Sequence, residues 1–179
     1  MSIDRPPSPV SLLVITGTMG VGKSAVLAEA SDLLAMGGIV HAAIDLDAFG
    51  LAHLSAPAVN DDAMYANLRS VCSNFAQRGV SRFVVARAVE NRSEVEIILK
   101  AANAQSALIC RLTSSPECLN QRVRSRETGI LREQFILRST ELSRILDRAA
   151  LEDFAISNED RPLTAVAHEL LIRSGWIAE

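Results

Sequence analysis

Cysteine is scarce in this chain, with three residues in 179, at positions 72, 110 and 118. No two form a C-x-x-C pair, and no histidine stands at zinc-finger spacing from them, which argues against a zinc site. Cys110 lies inside an apolar run and reads as a core residue. Residues 1–9 are polar and proline-rich, without an apolar stretch behind a basic start, so they read as a flexible leader rather than a secretory signal. With an odd cysteine count this fits a reducing, cytoplasmic setting. No apolar run approaches the roughly 20 residues needed to cross a bilayer, so no membrane partner is expected. Excess positive charge is also missing: eighteen basic residues meet twenty-one acidic ones, a net charge of -3. That balance excludes coating nucleic acid as the main task.

What the chain has is enough apolar material, 49%, for one core, and residues 10–179 read as a single domain. Five apolar runs have strand length: Ser11–Thr16, Ile39–Ile44, Arg82–Ala86, Ala107–Leu112 and Asp153–Ile156. Most are continuous rather than alternating, the signature of strands covered on both faces in a parallel sheet. Helical stretches separate them. Lys23–Met36 carries a clear apolar face and stops at Gly37-Gly38. Val59–Arg78 and Ser93–Asn103 follow. Ser115-Pro116-Glu117 is a helix start leading into Cys118–Arg126, and Leu131–Ala150 resumes after Gly129. A last helix opens at Arg161-Pro162. Strand and helix alternate throughout, so the class is α/β.

The sharpest motif is Gly17-Thr18-Met19-Gly20-Val21-Gly22-Lys23-Ser24, which fits G-x-x-x-x-G-K-[ST]. It follows the first strand and opens the first helix, as this motif requires. Glycines let the backbone curl until successive N–H groups face one anion, and the helix adds its positive end. Gly17, Met19, Gly20, Val21, Gly22, Lys23, Ser24 and Ala25 therefore form a candidate phosphate cradle for ATP. Lys23 is placed to reach the β- and γ-phosphates, and Ser24 offers a hydroxyl to Mg²⁺. The chain holds only two lysines against sixteen arginines, and one of the two stands here.

Other motifs narrow the branch. A GTPase would carry N-K-x-D, but the only other lysine, Lys100, sits in Ile98-Leu99-Lys100-Ala101-Ala102. The signature of transporter ATPases is absent too. The second strand ends in Asp45-Leu46-Asp47. In an open parallel sheet, ligands gather at the carboxyl ends of strands, so both acids should lie at the edge of the phosphate loop. On an extended segment, residues i and i+2 point the same way. One acid could hold Mg²⁺, and the other could accept a proton from a substrate hydroxyl. A plain strand-end turn capping the next helix is the alternative.

Gly17–Ser24 followed by Ala43-Ile44-Asp45-Leu46-Asp47 resembles the small P-loop kinases, the family of shikimate kinase, gluconate kinase, adenylylsulfate kinase, chloramphenicol phosphotransferase and adenylate kinase. The resemblance implies a three-layer P-loop NTPase fold, with a five-stranded parallel sheet in order 2-3-1-4-5 and a short helical lid. It implies a metal role for Asp45 with Ser24, and a base or acceptor-contact role for Asp47. The glycine-rich run that shikimate kinase carries after its third strand is replaced here by Ala86-Arg87-Ala88-Val89.

Eight arginines and no lysine lie from Arg111 to Arg148. Arg122 and Arg126 are four apart and share a helix face, whereas Arg124 points away. Residues 113–132 look like the family's lid, which implies phosphate contact for Arg122 and adenine or phosphate contact for Arg126. A solvated face paired with Glu117, Glu127 and Glu133 is the alternative. In the family, the turn after the fifth strand lies against adenine, which implies that role for Asn158; a simple turn residue is the other reading. The acceptor should bind over residues 48–78, a region that includes Phe49, His53, Asp61, Asp62, Tyr65 and Arg69. Arg69, Asp47 and Arg87 are the candidate acceptor contacts, and Arg87 would suit an anionic group. The expected activity is ATP- and Mg²⁺-dependent phosphoryl transfer to a hydroxyl of a small molecule, by a monomer or homodimer. A nucleoside monophosphate kinase and a non-catalytic ATP sensor are the rivals.

Overall fold

In the computed structural model, residues 9–50, 57–126, 129 and 132–178 are described, leaving aside the side chains of residues 50 and 57–60. The expected leader, His53 and part of the expected lid, including Glu127, lie outside them. The strands are β1 (Ser11–Thr16), β2 (Ala42–Asp45), β3 (Arg82–Ala86), β4 (Ala107–Thr113) and β5 (Phe154–Ser157). The helices are α1 (Lys23–Met36), α2 (Pro57–Ala76), α3 (Arg92–Ala102), α4 (Pro116–Arg126), α5 (Arg132–Ala149) and α6 (Leu163–Arg173). All strands pair in parallel, in the order β2-β3-β1-β4-β5, as expected.

The continuous apolar runs explain the layers. Successive side chains on a strand point to opposite faces, so a run without polar interruptions needs a cover on both. Leu13 and Ile15 of β1 pack with Val84, Cys110 and Leu112 against α1 and α6, through Val26, Leu27, Ala30, Leu34, Val166 and Leu170. Leu12 and Val14 pack with Phe83 and Val85 against α2 and α3, through Met64, Leu68, Cys72 and Ile98. Arg111 of β4 reaches Asp147 at 2.6 Å and Glu152 at 3.4 Å, which ties the end of α5 to the sheet.

Two boundaries differ from expectation for identifiable reasons. The second strand starts at Ala42 rather than Ile39, because its partner β3 offers Phe83 to Ala42 and only Arg82 before that. Residues 39–41 are held otherwise: the Ile39 amide donates to Leu34 O, and the His41 ring bonds Ser31 Oγ and Ile39 O, both at 2.8 Å. The fifth strand is shifted by one residue. Asp153 instead brackets Ile109, its amide donating to Ile109 O and its carboxylate accepting from Ile109 N at 2.7 Å. No helix among the described residues is long and apolar enough to cross a membrane.

All three cysteines are free; Cys72 and Cys110 are buried and Cys118 is half-buried. Burial pushes the Cys72 thiol up to about 11 and the Cys110 thiol up to about 12, so neither forms thiolate near neutrality. A thiol-reactive disulfide dye should therefore modify Cys118 first in the native protein, and all three only after denaturation. Rapid native modification of Cys110 would contradict this packing.

Candidate functional site

Three strand ends bring the site together. The register sets Ile15 and Asp45 both beside Ala86, so the ends of β1, β2 and β3 are level. Residues 17–22 leave β1, and the Asp45 and Arg87 side chains emerge alongside. The Thr16 hydroxyl, buried beneath the loop, accepts from the Val89 amide at 3.0 Å and fixes the segment after β3 against it.

The loop is closed around its own lysine. Lys23 is 9% exposed, and its Nζ donates to Gly17 O at 3.0 Å and Thr18 O at 3.2 Å. Burial lowers its pKa below the ordinary 10.5, against the opposing pull of Asp47 and Asp45; the Arg126 charge adds to the lowering. Both carboxylates and Arg126 thus act on the same ammonium group. Ser24 and Ala25 are exposed at the start of α1.

Three other elements hold the loop's outer side. From α5, buried Ser139 accepts the Thr18 hydroxyl on its backbone oxygen at 2.7 Å and donates its own hydroxyl to Met19 O at 3.1 Å. From the turn after β5, buried Asn158 donates its side-chain amide to Val21 O at 2.6 Å. From α4, Val123 and Leu119 lie so close to Gly20 that a Cβ there would stand 2.8 Å from Val123 Cγ2. Gly22 has φ 99°, and a Cβ on it would stand 2.5 Å from Asn158 Nδ2. Here glycine is needed twice over, for the left-handed backbone and for the space the asparagine occupies.

The lid arginines divide. Arg122 Nη2 donates to the Asn158 backbone oxygen at 2.7 Å, so α4 and the β5–α6 turn are joined directly above the loop. Arg126 is exposed at the end of α4, and Arg124 is exposed as well. Glu159, which the sequence reading passed over, accepts from the Ser115 amide and hydroxyl, both at 2.6 Å, and caps α4. Those Ser115 bonds hold its carboxyl below the usual range.

Asp45 and Asp47 come together, but not as two residues of an extended strand. A 3-10 turn, Leu46–Gly50, starts directly after β2, and buried Leu46 anchors it. The Asp47 amide donates to Asp45 Oδ1 at 3.2 Å, so one acid caps the turn that carries the other. Arg87, one residue past β3, donates to Asp47 Oδ1 at 2.7 Å and to Glu94 Oε1 at 3.1 Å, with Asp61 at 3.7 Å. Burial alone would lower the Arg87 pKa, but Asp47 and Glu94 outweigh it and raise it. Glu94 is held in turn by the Tyr65 hydroxyl at 2.6 Å and the Glu90 amide at 2.8 Å. Arg69 is exposed on α2. Glu94 was legible only as the fourth residue of Asn91-Arg92-Ser93-Glu94, a helix start in which Asn91 Oδ1 caps the Glu94 amide.

No family model matches the chain, and no curated protein matches its sequence. Solved structures do match. A sugar kinase from Janibacter sp. superposes with a TM-score of 0.65 at 16% identity, over 95% of this chain and 96% of its own. A gluconokinase from Sinorhizobium meliloti gives 0.60 at 20% identity, over 97% of this chain and 95% of its own. A shikimate kinase from Acinetobacter baumannii, solved with shikimate, gives 0.58 at 16% identity, over 93% of each chain. The chain has the fold of the small P-loop kinases.

The loop and the two acids lie at one end of the sheet's strands, and the loop is braced by Asn158 and Ser139. Among the described residues no group of three His, Cys, Asp or Glu could hold a metal alone. Ser24 and Asp45 would fit a cation whose other ligands are water and phosphate oxygens, as Mg²⁺ takes. Replacing Gly22 by Ala should cost roughly 2 kcal/mol or more, from left-handed backbone strain and the clash with Asn158. In an Asn158→Ala background the same change should cost at least about 0.5 kcal/mol less, because the clashing amide is gone. Strict additivity in urea unfolding would show that the two do not touch.

Proposed function

We propose that this protein is an ATP- and Mg²⁺-dependent phosphotransferase that moves the γ-phosphoryl group to a hydroxyl of a small molecule. The observation that carries the reading is the buried Lys23 at the centre of the phosphate loop, with Asp45 and Asp47 both acting on it across the gap.

In this reading, the main-chain amides of Gly17 to Ala25 face the phosphates of ATP, and the N-terminal end of α1 adds its dipole. Lys23 exchanges its contacts with Gly17 O and Thr18 O for phosphate oxygens. Such a lysine is ready to do so: it is already desolvated, and its present partners are neutral carbonyls. Ser24 and Asp45 would hold Mg²⁺, which when bound would neutralise phosphate charge and orient the transferring group. Asp47 accepts the proton of the acceptor hydroxyl. The acceptor oxygen forms a new bond to the γ-phosphorus as the bridging β–γ P–O bond breaks, and the electron pair leaves with ADP. Arg126 and Arg122 lie on the lid side, where a guanidinium fork suits phosphate oxygens or stacks on adenine. Asn158 supports the nucleotide end by holding Val21 and receiving Arg122. Arg69 and Arg87 border the acceptor side.

An ADP-release assay across alcohols, amino alcohols, sugar acids, nucleoside monophosphates and antibiotics tests the reading. Asp47→Asn should lower kcat on an accepted substrate by about 10²–10⁴-fold while ATP affinity by calorimetry stays within about twofold. Lys23→Ala should weaken ATP binding itself. If ATP binds in the presence of magnesium but no acceptor raises ADP release, the protein is an ATP-binding module and not a transferase. If nucleoside monophosphates are the best acceptors, it is a nucleotide kinase.

A further inference from the structure

The arginine that borders the acceptor space already faces three of the protein's own acids. Arg87 places Nε on Glu94, Nη1 on Asp47 and Nη2 towards Asp61. An incoming carboxylate or phosphate could take Nε or Nη1 only by displacing Glu94 or Asp47, and at Nη2 it would meet the Asp61 carboxylate 3.7 Å away. The nearest of them cannot move away readily. Glu94 is 12% exposed and is fixed by Tyr65 and by the Glu90 amide, and Asp47 is fixed by the turn that Asp45 caps. Arg138 of α5 is paired as well, with Glu90 at 2.5 Å and Glu141 at 2.9 Å, whereas Arg69 stands exposed on α2. Among the described residues, Arg87 therefore sits among three carboxylates where an acceptor would stand.

We propose that the phosphoryl acceptor is an uncharged or positively charged alcohol rather than a carboxylate or phosphate, and that Arg87 is a positioning residue that aims Asp47 instead of a receptor for an anionic substrate. This rests on the phosphotransferase reading and narrows its substrate class. Among the described residues, the chain Tyr65–Glu94–Arg87–Asp47 holds Asp47 by Oδ1, and Oδ2 is the oxygen assigned to take the hydroxyl proton. An anionic acceptor would bring a like charge next to Asp47 and Asp61, and the guanidinium beside them, Arg87, already faces three carboxylates, a juxtaposition that works against binding. A neutral polyol meets no such opposition, and an amino sugar gains from the same carboxylates.

The test uses the intact protein with magnesium and ATP in an ADP-release assay. The probes are matched sets on shared carbon skeletons: a polyol or sugar, its amino derivative, its acid and its phosphate ester. The expected result is that kcat/KM for the neutral or amino member exceeds that of the acid and the ester by about tenfold or more. Preference for the acid or the ester overturns the inference and leaves the phosphotransferase reading intact. If ATP binds by calorimetry but no member of any set is phosphorylated, the reading falls and the inference with it. Glu94→Gln supplies an independent readout: releasing Arg87 from one carboxylate should raise the acid-to-neutral ratio of kcat/KM by several-fold, with ATP affinity unchanged. An unchanged ratio in a variant that melts like the parent would also overturn the role given to Arg87. Arg87→Lys separates aim from charge, since it keeps the positive group and loses the fork. A lower kcat at unchanged KM is expected, and a rise in KM alone would mark Arg87 as an acceptor contact instead.

Discussion

The site depends on one arrangement of the main chain: the curl of residues 17–22 around the Lys23 ammonium group. A left-handed turn of this kind is not a backbone minimum for most residues, and a buried amine is costly to desolvate. Neither feature would persist without support. The support is a set of hydrogen bonds to the loop's carbonyl oxygens: Lys23 to Gly17 and Thr18, Ser139 to Met19, and Asn158 to Val21. Those bonds satisfy the loop's carbonyls on the inner and outer sides, and the Val21 amide donates to Thr18 O within the loop. A loop braced in this way needs little rearrangement when an anion arrives, which is the basis of its strength.

The bracing has a consequence for how the molecule works as a unit. Ser139 belongs to α5, Asn158 to the turn before α6, and Arg122 to α4. Each touches the loop or a residue that touches it. The elements that border the loop are thereby linked through one short peptide stretch, and Asn158 is the joint, holding Val21 with its side chain and Arg122 with its backbone oxygen. On the opposite flank, the Tyr65–Glu94–Arg87–Asp47 chain performs a similar service for the acid side. The two flanks differ in chemistry: around the loop every acceptor is a neutral carbonyl oxygen, whereas Asp47 is held by an ion pair.

Much of this was legible in the sequence. The continuous apolar strands announced a two-sided cover, and G-x-x-x-x-G-K-S fixed both the phosphate loop and its place between the first strand and helix. Asp45 and Asp47 were legible as neighbours of that loop because parallel strands of similar length end at one edge. The route by which they share a cleft was not, since a 3-10 turn rather than an extended segment carries Asp47. Arg87 was legible as a cation at a strand end. Its three acidic neighbours were not, because Asp61 and Glu94 come from different helices and reach it through packing. Asn158 stood out as a turn residue or an adenine contact, not as the partner of Val21, and Ser139 did not stand out at all; their partners are 137 and 120 residues away along the chain.

The sequence by itself determined what short-range pattern can encode: hydrophobic periodicity, glycines where the backbone must turn left-handed, and the residue types a phosphate demands. Those are local properties, read within a few residues of one another. Tertiary structure alone decided which cations remain available. Whether an arginine is an open receptor or a saturated strut is a matter of which carboxylates lie within about 4 Å of it, and that distance is set by the docking of α2, α3 and α5 around the sheet, far beyond the reach of any local motif.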